Sequence, residues 1–174
     1  MTISQKANTI VLIGLSGSGK SSVALALSKQ LNFKLIDSDS LIEMREETSI
    51  FQIFEQKGEA YFRTIEKETL LQLDLTKDTV IALGGGAWMH SEVRAFLSPV
   101  ASVVYLELSI ESLLARLERD ATRPLLNQES DRRRVLEKQL EERISFYKQS
   151  TITVNTDVSV GQVVQEIIQK LKLA

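Results

Sequence analysis

The sequence predicts an α/β domain built on a parallel sheet, and three observations carry that prediction. Short apolar, β-branched runs alternate with stretches long enough for helices, the pattern of repeated strand–helix–strand units. Six of the eight glycines fall in two short runs, Gly14, Gly17, Gly19 and Gly84, Gly85, Gly86, each directly after an apolar run. Between the first apolar run and a helical stretch, Gly14 to Ser21 reads GLSGSGKS. This matches GxxxxGK[ST] in the strand-then-helix setting that gives the pattern meaning.

Taken along the chain, Thr9 to Ile13 opens the sheet. Its apolar residues are continuous rather than alternating, which marks a strand buried on both faces. A helix is expected over Lys20 to Leu31, a second strand over Lys34 to Asp37 and a helix over Ser38 to Arg45. The region around Glu46 to Gly58 is too polar for sheet or core and is expected as an insertion at the sheet's carboxyl edge. A helix over Glu59 to Leu73 follows, then a strand over Thr79 to Leu83, the second glycine run and a helix over Ser91 to Leu97. The next strand is Ser102 to Leu106 and the next helix Ile110 to Arg119. A second polar insertion, Asp120 to Asp131, precedes a helix over Arg132 to Lys148, a strand over Thr151 to Asn155 and a helix over Val160 to Leu171. No repeat and no low-complexity linker divides the chain, so residues 1–174 are expected to form a single domain.

Composition removes several functions. With 43% hydrophobic and 25% charged residues, a chain of 174 residues can bury one core. The 21 Lys plus Arg against 23 Asp plus Glu leave a net charge of −2, so no general pull toward nucleic acid or an anionic membrane exists. The basic run Arg132 to Arg134 reads as a solvated helix face. Without cysteine there is no disulfide framework, thiolate metal site or thiol nucleophile. The apolar stretch Thr9 to Leu15 is far shorter than the roughly 20 residues that cross a bilayer. The polar Met1 to Asn8 lacks the order of a signal peptide. A soluble, cytoplasmic monomer is expected, with no nucleic-acid or membrane partner.

The chemistry concentrates at strand ends. Glycines in the first loop let successive N–H groups turn around phosphate oxygens, and the following helix adds its positive end. Lys20 then suits the β and γ phosphates and Ser21 a Mg²⁺ ion. The bland alternative is a glycine-rich turn beside an exposed lysine. The loop alone is shared by GTPase switches, motors and small-molecule kinases. Asp37 and Asp39 have two open readings: one serves Mg²⁺ while its neighbour faces an acceptor hydroxyl, or the stretch merely caps the next helix. Glu59, Arg63 and Glu66 share a helix face, and pattern alone favours a surface ion-pair ladder over an arginine held ready for a carboxylate. His90, the single histidine, has no motif around it and reads as a turn or helix-cap residue.

Several short stretches then carry a resemblance: GLSGSGKS, the DSD element followed by LIE, IFEQKGEAYFRTIE, LGGGA, RPLL at Arg123 to Leu126, and Arg143 to Tyr147. In this order and spacing the chain resembles the shikimate kinases from about Ile10 to the last helix. The resemblance implies an α/β P-loop three-layer sandwich of the nucleoside-monophosphate-kinase kind with a five-stranded parallel sheet. It also implies transfer of the ATP γ-phosphoryl group to the 3-hydroxyl of shikimate, giving shikimate 3-phosphate and ADP in aromatic amino acid biosynthesis.

Position by position, the resemblance assigns Ser21 and Asp37 to Mg²⁺ and Gly17, Ser18, Gly19, Lys20, Ser21 and Ser22 to ATP. Arg116 is placed against adenine and Asp39 at the hydroxyl as base. Arg63 and Arg143 go to the shikimate carboxylate, Gly84, Gly85 and Gly86 to the ring, and Phe54 and Phe62 to the pocket wall. Arg123 is matched to a lid arginine on the transferring phosphate, within a lid at about 120–131; the shikimate segment spans about 38–66. Ser22 and Ala24 stand where the family usually has Thr and Gly, and Ile144 to Phe146 lacks the proline common before Tyr147. Asp157 to Val160 carries neither the arginine nor the proline that often borders adenine. The rival readings are another metabolite kinase, such as a gluconate kinase, and a catalytically silent nucleotide-binding module.

Overall fold

The computed structural model describes residues 8–119 and 129–173. Its five strands are β1 (Thr9–Ile13), β2 (Lys34–Asp37), β3 (Thr79–Ala82), β4 (Ala101–Glu107) and β5 (Ile152–Asn155), each within one residue of the sequence expectation. They pair in parallel in the order β2-β3-β1-β4-β5. The central strands β1 and β3 are buried throughout, whereas the edge strands β2 and β5 each keep a single buried position. Continuous apolar runs therefore took the middle of the sheet and mixed runs its edges.

Period-2 geometry divides β1 between two cores. Val11 and Ile13 join Ile81, Val103 and Tyr105 beneath α4 (Ser91–Leu97), α5 (Ile110–Arg119) and α6 (Glu129–Tyr147). Ile10 and Leu12 join Val80, Val104 and Leu106 beneath α1 (Lys20–Leu31) and α7 (Val160–Leu171). Each such side chain stabilises the fold by about 1.5 to 3 kcal/mol through removal from water. Ala24 is fully buried against this second core. No described helix is long and apolar enough to cross a membrane.

Two expectations need correction. Residues 46–58 are not simply a polar insertion outside the core: α2 runs Ser38–Glu46, and α3 runs from Ile50 to Leu71 with a break at Gly58 (φ 79°, ψ 172°). Ile50, Ile53 and Phe54 form an i, i+3, i+4 stripe that packs with Ile42, Phe62 and Ile65 as a third small core, and Ile53 is fully buried. A Ser49–Gln52 capping box starts this helix. Helix α6 also begins earlier than expected, so residues 129–131 of the second insertion are helical.

In this order the chain reverses direction at β1: β3 lies on one side of it and β4 on the other. The crevice beyond the carboxyl end of such a strand is where open α/β sheets bind ligands. Both glycine runs lie at that edge.

Candidate active site

The cleft at the end of β1 encloses about 250 Å³. Gly17, Gly19, Lys20, Ser21 and Ser22 line one wall, and Asp37, Asp39, Gly84 and Gly85 the other. Gly19 sits at φ 93° as the N-cap of α1 and brings no side-chain cap to the helix's first-turn amides. The Lys20 ammonium, on a residue only 8% exposed, donates to the Gly14 and Leu15 carbonyls at 2.9 Å each, which rules out a solvent-exposed lysine beside a turn. Ser18 is buried, and its hydroxyl has no hydrogen-bond partner.

Asp37 caps α2 and also reaches Ser21. One carboxylate oxygen accepts from the Asp39 and Ser40 amides as the N-cap of α2, while the other accepts from Ser21 Oγ at 2.7 Å. That pair brings two hard oxygen ligands together on the cleft wall. Among the described residues no group of three His, Cys, Asp or Glu forms a dedicated metal cage. A few protein oxygens completed by phosphates and water is the usual arrangement for Mg²⁺, so the donor set fits that ion.

The second glycine run is crowded by acidic and basic side chains. Ser38, fully buried, accepts from the Gly84 amide at 2.7 Å and donates to Asp39 Oδ1 at 3.4 Å. A β-carbon on Gly84 would lie 2.6 Å from Asp39 Oδ1 and 3.0 Å from Glu66 Oε1. The Gly85 carbonyl accepts from Arg143 Nη1 at 2.9 Å and from the Tyr147 hydroxyl at 3.0 Å. The Arg63 guanidinium lies against Gly86. Arg63 and Arg143, 80 positions apart in the chain, thus converge on one three-residue turn beside Asp39.

Arg63 is more than a rung in a surface ladder. Its Nε and Nη2 donate to Glu59, and its Nη1 donates at 2.9 Å to Glu66, whose side chain is 1% exposed. Burial opposes the Arg63 charge, but Glu66 and Glu59 outweigh it and raise its pKa. The Phe54 and Phe62 rings meet at a 34° tilt with centroids 4.6 Å apart. They belong to the third core rather than to the wall of the phosphate-loop cleft, with Arg63 lying 5.2 Å over the Phe62 ring.

Arg116 reaches from the Ser18 carbonyl at 3.4 Å to the Thr156 carbonyl, so it joins the phosphate loop to the end of β5. Asp157 and Ser159, in the stretch lacking arginine and proline, instead form the turn and cap that begin α7. Arg123 and most of the expected lid lie outside the described residues. Three contributors escaped the sequence reading: Ser38, Tyr147 as a ligand of Gly85, and His90, whose Nε2 lies 3.1 Å from Glu66 Oε2. Their signals are tertiary contacts spanning 24 to 62 positions, which no local spacing records.

A doubly flanked β1, a phosphate loop opening α1, and a carboxylate-and-arginine cluster facing that loop define a P-loop kinase for small molecules. Comparison narrows the class. The family model for shikimate kinase matches residues 16–172. A shikimate kinase of Sulfurihydrogenibium sp. is 38% identical over 164 residues, 94% of this chain and 97% of that protein. The structure of the Acinetobacter baumannii shikimate kinase in complex with shikimate superposes with a TM-score of 0.88 at 34% identity, covering 97% of this chain and 94% of the other. The chain belongs to the shikimate kinase family. A gluconokinase from Sinorhizobium meliloti, with a TM-score of 0.61 at 20% identity over 96% and 93% of the two chains, shares the fold alone.

Proposed function

We propose that the protein transfers the γ-phosphoryl group of ATP to the 3-hydroxyl of shikimate, giving shikimate 3-phosphate and ADP. The observation that carries this reading is the convergence of Arg63 and Arg143 on the Gly85–Gly86 turn, beside Asp39 and across the cleft from Lys20. Two guanidinium forks at one turn suit a small acid, each charge-assisted contact stabilising it by about 1.5 to 3 kcal/mol.

In this reading the loop amides of Gly17 to Ser22 hold the ATP phosphates and Lys20 offsets their charge. Arg116 borders the adenine, and Arg123 reaches the transferring group from a lid at about 120–131. The shikimate segment is about 38–66, with its own small core holding Phe54, Phe62 and Arg63 in register. Asp39 receives the 3-hydroxyl proton as that oxygen bonds to the γ-phosphorus and the bond to ADP breaks. Ser21 and Asp37 would hold Mg²⁺, which when bound supplies positive charge to the phosphates. The backbone at Gly84 to Gly86 lets the ring approach where a side chain would intrude. We further propose a cytoplasmic, single-domain monomer acting in aromatic amino acid biosynthesis.

A coupled assay of ADP formation tests the reading. Turnover should depend on shikimate. Equal turnover with gluconate, or ADP release indifferent to any acceptor, would overturn it.

A further inference from the structure

We propose that His90 is a positioning residue for the acidic acceptor: acting through Glu66, it sets the orientation and net charge of Arg63, so that acceptor binding is linked to a proton on the imidazole. This rests on the reading above and adds to it a residue and a form of control.

The geometry is specific. One oxygen of Glu66, Oε2, takes both Arg63 Nη1 at 2.9 Å and His90 Nε2 at 3.1 Å, while Oε1 faces Gly84. Glu66 is almost completely buried and His90 is 19% exposed, so the contact is poorly screened by water. His90 stands where the turn after Gly86 enters α4, and it holds the backbone N-cap position of that helix without a side-chain cap bond. Its ring is thereby left to Glu66.

The charges around the imidazole define the sign of the coupling. On α3, Glu66, Glu59 and Arg63 form the cluster, and Lys67 pairs with Glu92 of α4 at 3.1 Å. Glu92 is held at about 2 by its own backbone amide, Lys67 and Ser91, so it stays ionised wherever imidazole titrates. Arg94 of α4 donates to the Trp88 carbonyl, Arg143 of α6 to the Gly85 carbonyl, and Asp39 of α2 lies across Gly84. With a neutral imidazole, Glu59 and Glu66 balance much of the positive charge on Arg63. A protonated imidazole takes over part of Glu66, leaving more of the guanidinium charge for an incoming carboxylate. By linkage the bound carboxylate favours the imidazolium to the same extent. Acceptor affinity is therefore higher with His90 charged than with it neutral.

The chain has one histidine, so its imidazole Cε1–H resonance is unambiguous by NMR. Shikimate, added to the intact protein near the midpoint of the titration, should move that resonance toward its imidazolium position. The dissociation constant for shikimate should be about threefold to tenfold lower at about pH 5.5 than at about pH 8.5. His90→Gln keeps a donor for Glu66 but cannot titrate, and should flatten that profile. His90→Leu removes the donor and should raise KM for shikimate more than KM for ATP. A resonance unmoved by saturating shikimate, or a His90→Gln profile as steep as that of the unmodified chain, would overturn the proposal. A chain that neither binds nor phosphorylates shikimate would overturn the functional reading first and this inference with it.

Discussion

A β-carbon on Gly86 would lie 2.6 Å from Nη1 of Arg63 and 2.9 Å from its Cζ. An arginine tip usually swings aside for a new methyl group, but this one is pinned by Glu59 on one edge and Glu66 on the other. Gly86→Ala should therefore displace the guanidinium and break those pairs together. Loss of one charge-assisted contact to an acid costs about 1.5 to 3 kcal/mol, so KM for shikimate should rise about 10-fold to 100-fold. KM for ATP should change little, because Gly86 is not on the phosphate-loop wall. Steady-state kinetics with each substrate varied in turn check this; equal weakening of both would show a general collapse of the turn.

Asp37 caps α2 with one carboxylate oxygen and meets Ser21 Oγ with the other, and substitution can separate the cap from the proposed metal role. Asparagine caps a helix about as well as aspartate, so Asp37→Asn should leave α2 in place, while Asp37→Ala should cost about 0.5 to 2 kcal/mol of stability. Both variants remove the charge beside Ser21 Oγ. Both should then need more Mg²⁺ for half-maximal rate, and only the alanine variant should melt earlier. Metal titrations and thermal melts on the same preparations decide it. An unchanged metal requirement in both variants would leave Asp37 with the cap alone.

The helix cap at Asp37 also marks how far the sequence could be read. The strands and most helices were legible because each is written in local terms: buried apolar runs, a phosphate-loop pattern and stretches of helical length between them. The i, i+3, i+4 stripe of Ile50, Ile53 and Phe54 was equally local, but glutamates, glutamines and a lysine around it hid a fully buried position. The arginines of the site were identified through resemblance; pattern alone favoured a surface ladder at Arg63. What no local pattern held was the shared partner. Arg143 and Tyr147 meet on the Gly85 carbonyl, and His90 meets Arg63 on Glu66, only because the sheet order brings α3, α6 and the β3 turn together.

Asp39 should be the residue whose loss damages turnover most selectively. Asp39→Asn keeps the size and hydrogen-bonding reach of the side chain but cannot take a proton, and a positioned base contributes about 10²- to 10⁴-fold. Turnover should fall in that range with ATP affinity nearly unchanged. Gly84→Ala tests the same carboxylate from outside, because its methyl would meet Asp39 Oδ1 at 2.6 Å. The two variants should resemble each other kinetically. Near-normal turnover of Asp39→Asn would end its role as base.

Tyr105 and Tyr147 predict how the fold responds to alkali. Their rings stack with centroids 5.0 Å apart beneath α6. Burial pushes the Tyr105 hydroxyl up to about 12, helped by Glu107 and Tyr147. Burial also raises Tyr147, although Arg143 pulls against it. In the unfolded chain both phenols ionise near about 10, so only the folded state keeps their protons above that pH. Their contribution is fully present below about pH 10 and is lost as pH rises through the raised values. The urea midpoint should accordingly drop between about pH 10 and pH 12, and Tyr105→Phe, which has no proton to lose, should drop less. Tyr147→Phe should also flatten the decline, but it leaves the Gly85 carbonyl to Arg143 alone and should weaken shikimate binding even at neutral pH. An alkaline decline identical in all three proteins would place the loss elsewhere, among lysines that titrate in the same range.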